Sequence, residues 1–190
     1  MDRKAYADDS ANIIAWLNAR DTQPQRNKHR LPIEQYALGD CEYFFTICAR
    51  HQGTPFTDPL LARSIIDALL WRREHHSWFL FCYCLMPDHL HLILKLTNAE
   101  IRWINAGARG RCPEGVLDHI GRFKRYTTTQ IWQRHGGNGA LWQTSSYDRV
   151  IRYYNSIDDA VSYVLHNPVR KRIVENIEKY PYSSIVDQWR

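Results

Sequence analysis

The most regular alternation of apolar and polar positions in the chain runs from Asp88 to Leu96. Leu90, Leu92, Leu94 and Leu96 fall on one side of a period-two pattern, and His89, His91, Ile93 and Lys95 on the other. That pattern predicts a β-strand with its leucines in the core and two histidines together on the opposite face. Met86-Pro-Asp88 supplies the turn that feeds it. Cys41–Arg50, Trp78–Leu85 and Tyr147–Tyr153 are rich in aromatic and β-branched residues and read as three further strands. Helical spacing appears in three stretches. Asp58-Pro59 caps a helix with Leu61, Ile65, Ala68 and Leu69 on one face, ending near His75. Pro113 opens a second, with Val116, Ile120, Phe123 and Ile131 inward and Gly136-Gly137 at its end. Ser156-Ile-Asp-Asp159 resembles a capping box for a third, which buries Ile157, Val161 and Val164.

The order β-α-β-β-α-β followed by a helix predicts an α+β fold. It is a ferredoxin-like split βαβ sandwich with helices mainly on one face of an antiparallel sheet and an extra C-terminal helix. The other sheet face is then left free, and His89 and His91 point to it. Tyr180-Pro-Tyr-Ser-Ser184 reads as a turn that packs back on the domain. Residues 1–33 are expected to be an accessory segment, with a short helix after Ser10, and residues 34–190 the main domain. The basic run Gln25–Arg30 reads either as a solvated linker or as a phosphate-contacting arm.

Composition narrows the classes. At 190 residues with 44% apolar and 13% aromatic side chains, the chain is long and apolar enough to fold around a core. A formal charge of +5 and a pI near 9.0 lean toward a polyanionic partner. No stretch has the length and apolarity of a membrane span, and no signal-peptide pattern opens the sequence. Five cysteines without a C-x-x-C pair fit a reduced, cytoplasmic protein.

Two imidazoles stepping along one strand face can reach a single ion, which on a basic protein points to polarising a phosphodiester. The same His-x-His also suits a plain half-exposed strand; the clean alternation and the proline turn favour the ion. A nucleophile and a third ligand one helical turn apart are then wanted, and two pairs have that spacing: Tyr126 with Gln130, and Tyr163 with Asn167. Spacing does not choose between them. Arg122 and Arg125, with Lys124 beside them, and Arg170, Lys171 and Arg172 are candidate phosphate contacts. A rival reading joins the histidines to Cys82 and Cys84 of the neighbouring strand as a structural zinc site.

Pro87-Asp-His89-Leu-His91-Leu92 resembles the His-hydrophobic-His motif of the single-tyrosine HUH transposases. Phe44-Phe-Thr-Ile-Cys48, Leu141-Trp-Gln143, Tyr147–Arg152, Tyr163-Val-Leu-His-Asn-Pro-Val169 and Tyr180–Ser184 are similar to the branch associated with repetitive extragenic palindromes (REP). The likeness spans roughly residues 30–185, with Asp88 standing where that family commonly has Asn or Glu. It implies that Tyr163 is the nucleophile, that His89, His91 and Asn167 hold Mg²⁺ or Mn²⁺, and that His166 is an additional possible ligand. It further implies a DNA endonuclease and transposase that binds single-stranded DNA hairpins and cuts and rejoins through a 5′-phosphotyrosine, as a monomer or homodimer. A hairpin-binding protein that keeps this fold without transposing is the alternative.

Overall fold

A computed structural model describes residues 41–50, 53–76, 78–97, 115–135, 139–151 and 157–189. The accessory segment and its basic run, Pro113, Gly136-Gly137, Arg152-Tyr153 and Ser156 lie outside the described residues.

The elements follow the predicted order: β1 (Glu42–Cys48), α1 (Pro59–His75), β2 (Trp78–Leu85), β3 (His89–Leu96), α2 (Val116–His135), β4 (Tyr147–Ile151) and α3 (Ile157–Leu165). A four-residue helix, α4 (Asn167–Arg170), and a short strand, β5 (Ser183–Ile185), complete them. All strand pairs are antiparallel, in the order β4-β1-β3-β2-β5. Local chemistry explains the starts. The Asp58 carboxylate accepts from the backbone N–H of Leu60 at 2.8 Å and of Leu61 at 3.2 Å, while Pro59 needs no acceptor at the first helical position.

The leucine face of β3 meets the helix layer as the alternation requires. Leu90, Leu92, Leu94 and Leu96 are buried with Tyr43, Phe45 and Ile47 of β1 against Ile65 and Leu69 of α1 and Ile120 and Phe123 of α2. Trp142, before β4, closes this core and donates Nε1–H to Thr127 Oγ1 at 2.8 Å.

The second sheet face differs from expectation. It is not free: α3 lies across it, and Val161 and Val164 pack against Phe81, Cys82, Cys84 and Ile93. A register shift between Leu80 and Cys82, opposite Leu94 and Ile93, makes this possible. The extra residue lets Phe81 and Cys82 both join the core beneath α3, while Leu80 and Tyr83 serve the other core. The tail also does more than turn. Ser183–Ile185 extends the sheet as an edge strand on β2, and the Tyr180 hydroxyl donates to the Leu85 carbonyl at 2.6 Å. Asp187 then closes the edge: its carboxylate accepts the Leu80 N–H at 2.8 Å and is held by the Arg73 guanidinium.

Candidate active site

The site is built at the turn between β2 and β3. Met86 N–H donates to the His89 carbonyl at 2.7 Å and closes the turn. Neighbouring backbone holds its tip on two sides, Phe56 N–H donating to Pro87 O at 3.0 Å and Ala49 N–H to Asp88 O at 2.8 Å. The histidines therefore start from a fixed support.

Each ring is oriented through Nδ1. His89 Nδ1 lies 2.6 Å from Asp88 Oδ1, and His91 Nδ1 lies 2.9 Å from Thr46 Oγ1, its cross-strand neighbour on β1. The two Nε2 atoms face each other at 3.0 Å, with the rings edge to face at 4.5 Å. Without an ion this network is complete when His89 carries its proton on Nδ1 and His91 on Nε2, with the Thr46 hydroxyl donating to His91 Nδ1. The Nε2 spacing also fits a shared ion. Two nitrogens about 2.1 Å from one ion lie about 3.0 Å apart at a right angle and about 3.4 Å apart at a tetrahedral angle. The observed 3.0 Å falls in that range, as it does in the range of the hydrogen bond between the two rings.

Burial and nearby charge shift the titration of His91 and Asp88. His91 is 7% exposed. Burial holds its pKa well below the usual histidine range, and the charges of His89, Arg170 and Lys171 push the same way. Asp88 titrates below the usual carboxylate range, chiefly because it accepts the His89 hydrogen bond.

Tyr163 comes to this site from α3. Its ring centroid is 6.4 Å from that of His91 and 6.2 Å from that of Phe44, which itself stacks on His91 at 5.3 Å. The Arg170 guanidinium lies 4.3 Å from the Tyr163 ring centre. Asn167 is 2% exposed and donates Nδ2–H to the Tyr163 carbonyl at 3.3 Å, one turn back. His166 goes elsewhere: it is exposed, its Nδ1 lies 2.8 Å from the Ser162 carbonyl, and it lines a groove with Asp158, Ile185 and Trp189. Arg170 ends α4, with Lys171 at its C-cap and Arg172 just beyond. That end closes with Ile173 N–H on Pro168 O and Arg172 N–H on Val169 O, with Arg172 at φ 56°.

Tyr126 and Gln130 lie on the other side of the sheet. Tyr126 packs against the helix-layer core and stacks on Trp71, and Gln130 donates to Gln133 at 3.4 Å. The structure thus separates the two pairs that spacing left equal. Arg122, Lys124 and Arg125 share α2 with Tyr126; Arg122 and Arg125 are exposed, and Lys124 Nζ donates to the carbonyls of Thr144 and Ser145 at 3.0 and 3.2 Å.

Cys84 pairs opposite His91 but is fully buried, and burial pushes its thiol up to about 12; Cys82 is raised further by the same cause. Among the described residues no three His, Cys, Asp or Glu side chains gather to hold a metal ion. Thr46, Phe44 and Arg170 as a cover for Tyr163 are contributions that sequence reasoning missed. The cross-strand register that brings Thr46 to His91 has no signature along the chain.

No protein-family model matches the chain. A Haemophilus influenzae protein named "Putative REP-associated tyrosine transposase" is 24% identical over 148 residues, covering 75% of this chain and 78% of that one. A solved REP-associated tyrosine transposase bound to a REP hairpin shares the fold, with a TM-score of 0.54 and 20% identity over 83% of this chain and 81% of that one. In sequence and in fold alike, this chain is similar to the REP-associated tyrosine transposases.

Proposed function

We propose that the protein cuts and rejoins single-stranded DNA at hairpins, with Tyr163 as the nucleophile and His89 and His91 as ligands of a divalent ion, Mg²⁺ or Mn²⁺. The observation that carries this reading is the pair of Nε2 atoms 3.0 Å apart, with the Tyr163 ring 6.4 Å from His91. Asn167, one turn from Tyr163, is the third protein ligand in this reading. When bound, the ion withdraws charge from a non-bridging phosphate oxygen and makes the phosphorus more electrophilic. Everything else falls to the chain itself. Asp88 and Thr46 hold the imidazoles by Nδ1, and burial keeps His91 neutral. The Tyr163 oxygen bonds to phosphorus as the bond to the 3′ oxygen breaks. The phenol proton passes to that leaving oxygen, directly or through water, giving a 5′-phosphotyrosine and a free 3′-hydroxyl. Arg170 over the ring fixes its orientation and sets a positive charge beside the phosphate. The covalent link conserves the bond energy, so rejoining needs no nucleotide hydrolysis.

The hairpin substrate draws support from the solved relative, which is bound to a REP hairpin. The test is a denaturing gel of protein with a labelled single-stranded hairpin and Mg²⁺. The expected result is a covalent adduct on the 5′ end of the downstream fragment, lost in Tyr163→Phe and in chelator and kept in Tyr126→Phe. An adduct that persists in Tyr163→Phe overturns the assignment.

A further inference from the structure

The helix layer carries an aromatic and basic cluster that the tyrosine site does not use. Trp71 of α1, 40% exposed, lies nearly parallel to His75 (4.6 Å, 16°) and to Tyr126 of α2 (5.6 Å, 14°). Next to it Arg72 is 6% exposed, and its Nε and Nη1 are buried with no hydrogen-bond partner. The face of Tyr126, 6.0 Å from Cζ, is a poor substitute for an acceptor. Its neighbour Arg73, by contrast, is held by the Asp187 carboxylate. Arg122, exposed one turn before Tyr126, adds positive charge beside Arg72 instead of cancelling it. A buried guanidinium with unmade donors is costly, and an anion is the partner that satisfies its donors and its charge together. Parallel rings reaching solvent beside it are what an unpaired base stacks on.

We propose that Trp71, Arg72 and Tyr126, with Arg122, form a second nucleic-acid contact that takes an unpaired base on the ring stack and its phosphate on Arg72. This contact lies across the sheet from the histidines. It rests on the reading of the chain as a DNA-binding protein but not on cleavage by Tyr163. A hairpin loop or flanking strand presents such a base, whereas a blunt duplex does not.

The full chain is titrated with a labelled single strand lacking any palindrome, over a range of salt, and melted with and without inorganic phosphate. Trp71→Ala is expected to weaken strand binding roughly tenfold, as loss of one stacked base does, while keeping the phosphate response. Arg72→Gln should flatten the salt slope by about one, as loss of one phosphate contact does, and abolish the phosphate-induced rise in melting temperature. Its unliganded melting temperature should equal or exceed the parent's, because an uncompensated buried charge has gone. Unchanged affinity and slope in both variants overturn the proposal. So does an Arg72→Gln protein that melts lower yet binds like the parent, which makes Arg72 structural. A phosphate response with no Trp71 effect on strand affinity reduces the cluster to an anion site and also overturns it. Loss of the Tyr163 adduct with strand affinity intact bears on the cleavage reading alone.

Discussion

Thr46→Val tests whether the histidine pair is a prepared ligand set. Valine keeps the β-branched shape on β1 and removes only the hydroxyl that meets His91 Nδ1 at 2.9 Å. His91 is 7% exposed, so water cannot readily replace that partner. Leaving a buried polar nitrogen unmatched costs about 1–3 kcal/mol, or about 2–12 °C in melting temperature for a domain of this size. The consequence for metal is separate. To ligate through Nε2, His91 must carry its proton on Nδ1, and the Thr46 hydroxyl then rotates to accept it. Losing such an orienting partner weakens metal affinity about 10–100-fold, and a tenfold loss lowers metal-induced stabilisation by about 1.4 kcal/mol at saturation. The assay is thermal melting in chelator and across a Mn²⁺ titration, with Thr46→Ser as the rescue. Thr46→Val should melt lower in chelator and gain less from Mn²⁺, and Thr46→Ser should recover both. Equal Mn²⁺-induced shifts in parent and Thr46→Val would refute the orienting role.

Three further outcomes are expected. His119 Nδ1 accepts the Trp78 indole N–H at 2.9 Å, and burial, with the nearby Arg72 and His76 charges, depresses its pKa. The unfolded chain takes up this proton below about pH 6.5 before the folded chain does, so its share of stability is complete above that pH and lost as pH falls, by at most about 1.4 kcal/mol per unit. Urea unfolding at several pH values should show His119→Gln less acid-sensitive than the parent, and an equal slope counts against this account. Asp187→Ala strips the acceptor from the Leu80 N–H and from Arg73 and should cost about 2–4 kcal/mol in the same assay; a loss under 1 kcal/mol contradicts the clamp. Arg172→Gly should raise stability by about 0.5–1 kcal/mol, because Arg172 sits at φ 56°, where glycine meets no Cβ penalty, while lowering the salt slope of DNA binding by about one. An unchanged or lower melting temperature counts against the strain.

What was legible in the chain was whatever local spacing dictates. The Leu90–Leu96 alternation gave β3 and its core face, and Asp58-Pro59 gave the start of α1, because strand and helix periods act over a few residues. The two histidines, and the turn that presents them, followed from the same signal. The bulge at Phe81 was not legible, since Trp78–Leu85 is apolar on both faces and no alternation marks a slip. Nor was the burial of His91 under α3, which depends on how a helix some 70 residues away docks. Spacing left Tyr126 and Tyr163 undecided for that reason: both spacings are helical, and only the sheet decides which side each helix takes. Residue resemblance pointed to Tyr163; packing places it by His91.

In the proposed reaction, the burial that holds the His91 pKa down would also limit how a phosphodiester approaches. Phe44 stacks on the His91 ring, Tyr163 stands beside it, and Arg170 lies over Tyr163, so the inner side of the pair is closed by protein. His89 sits at the turn, less buried than His91, with exposed Asp88 and Lys171 near it. On that reading a strand would come in over the turn and past the end of α4. Along that path Asp88, held ionised by His89 and Lys171, would repel a phosphate if it stood alone. Arg170 and Lys171 both act on His91 as positive charges and outweigh the one carboxylate, so the entrance is net positive, and the same charges, with burial, hold the His91 pKa down. The basic run after Pro168 and the carboxylate before His89 are thus two halves of one arrangement. The carboxylate orients His89 through Nδ1, and in the proposed reaction the cations would offset the repulsion that this carboxylate brings to an anionic substrate.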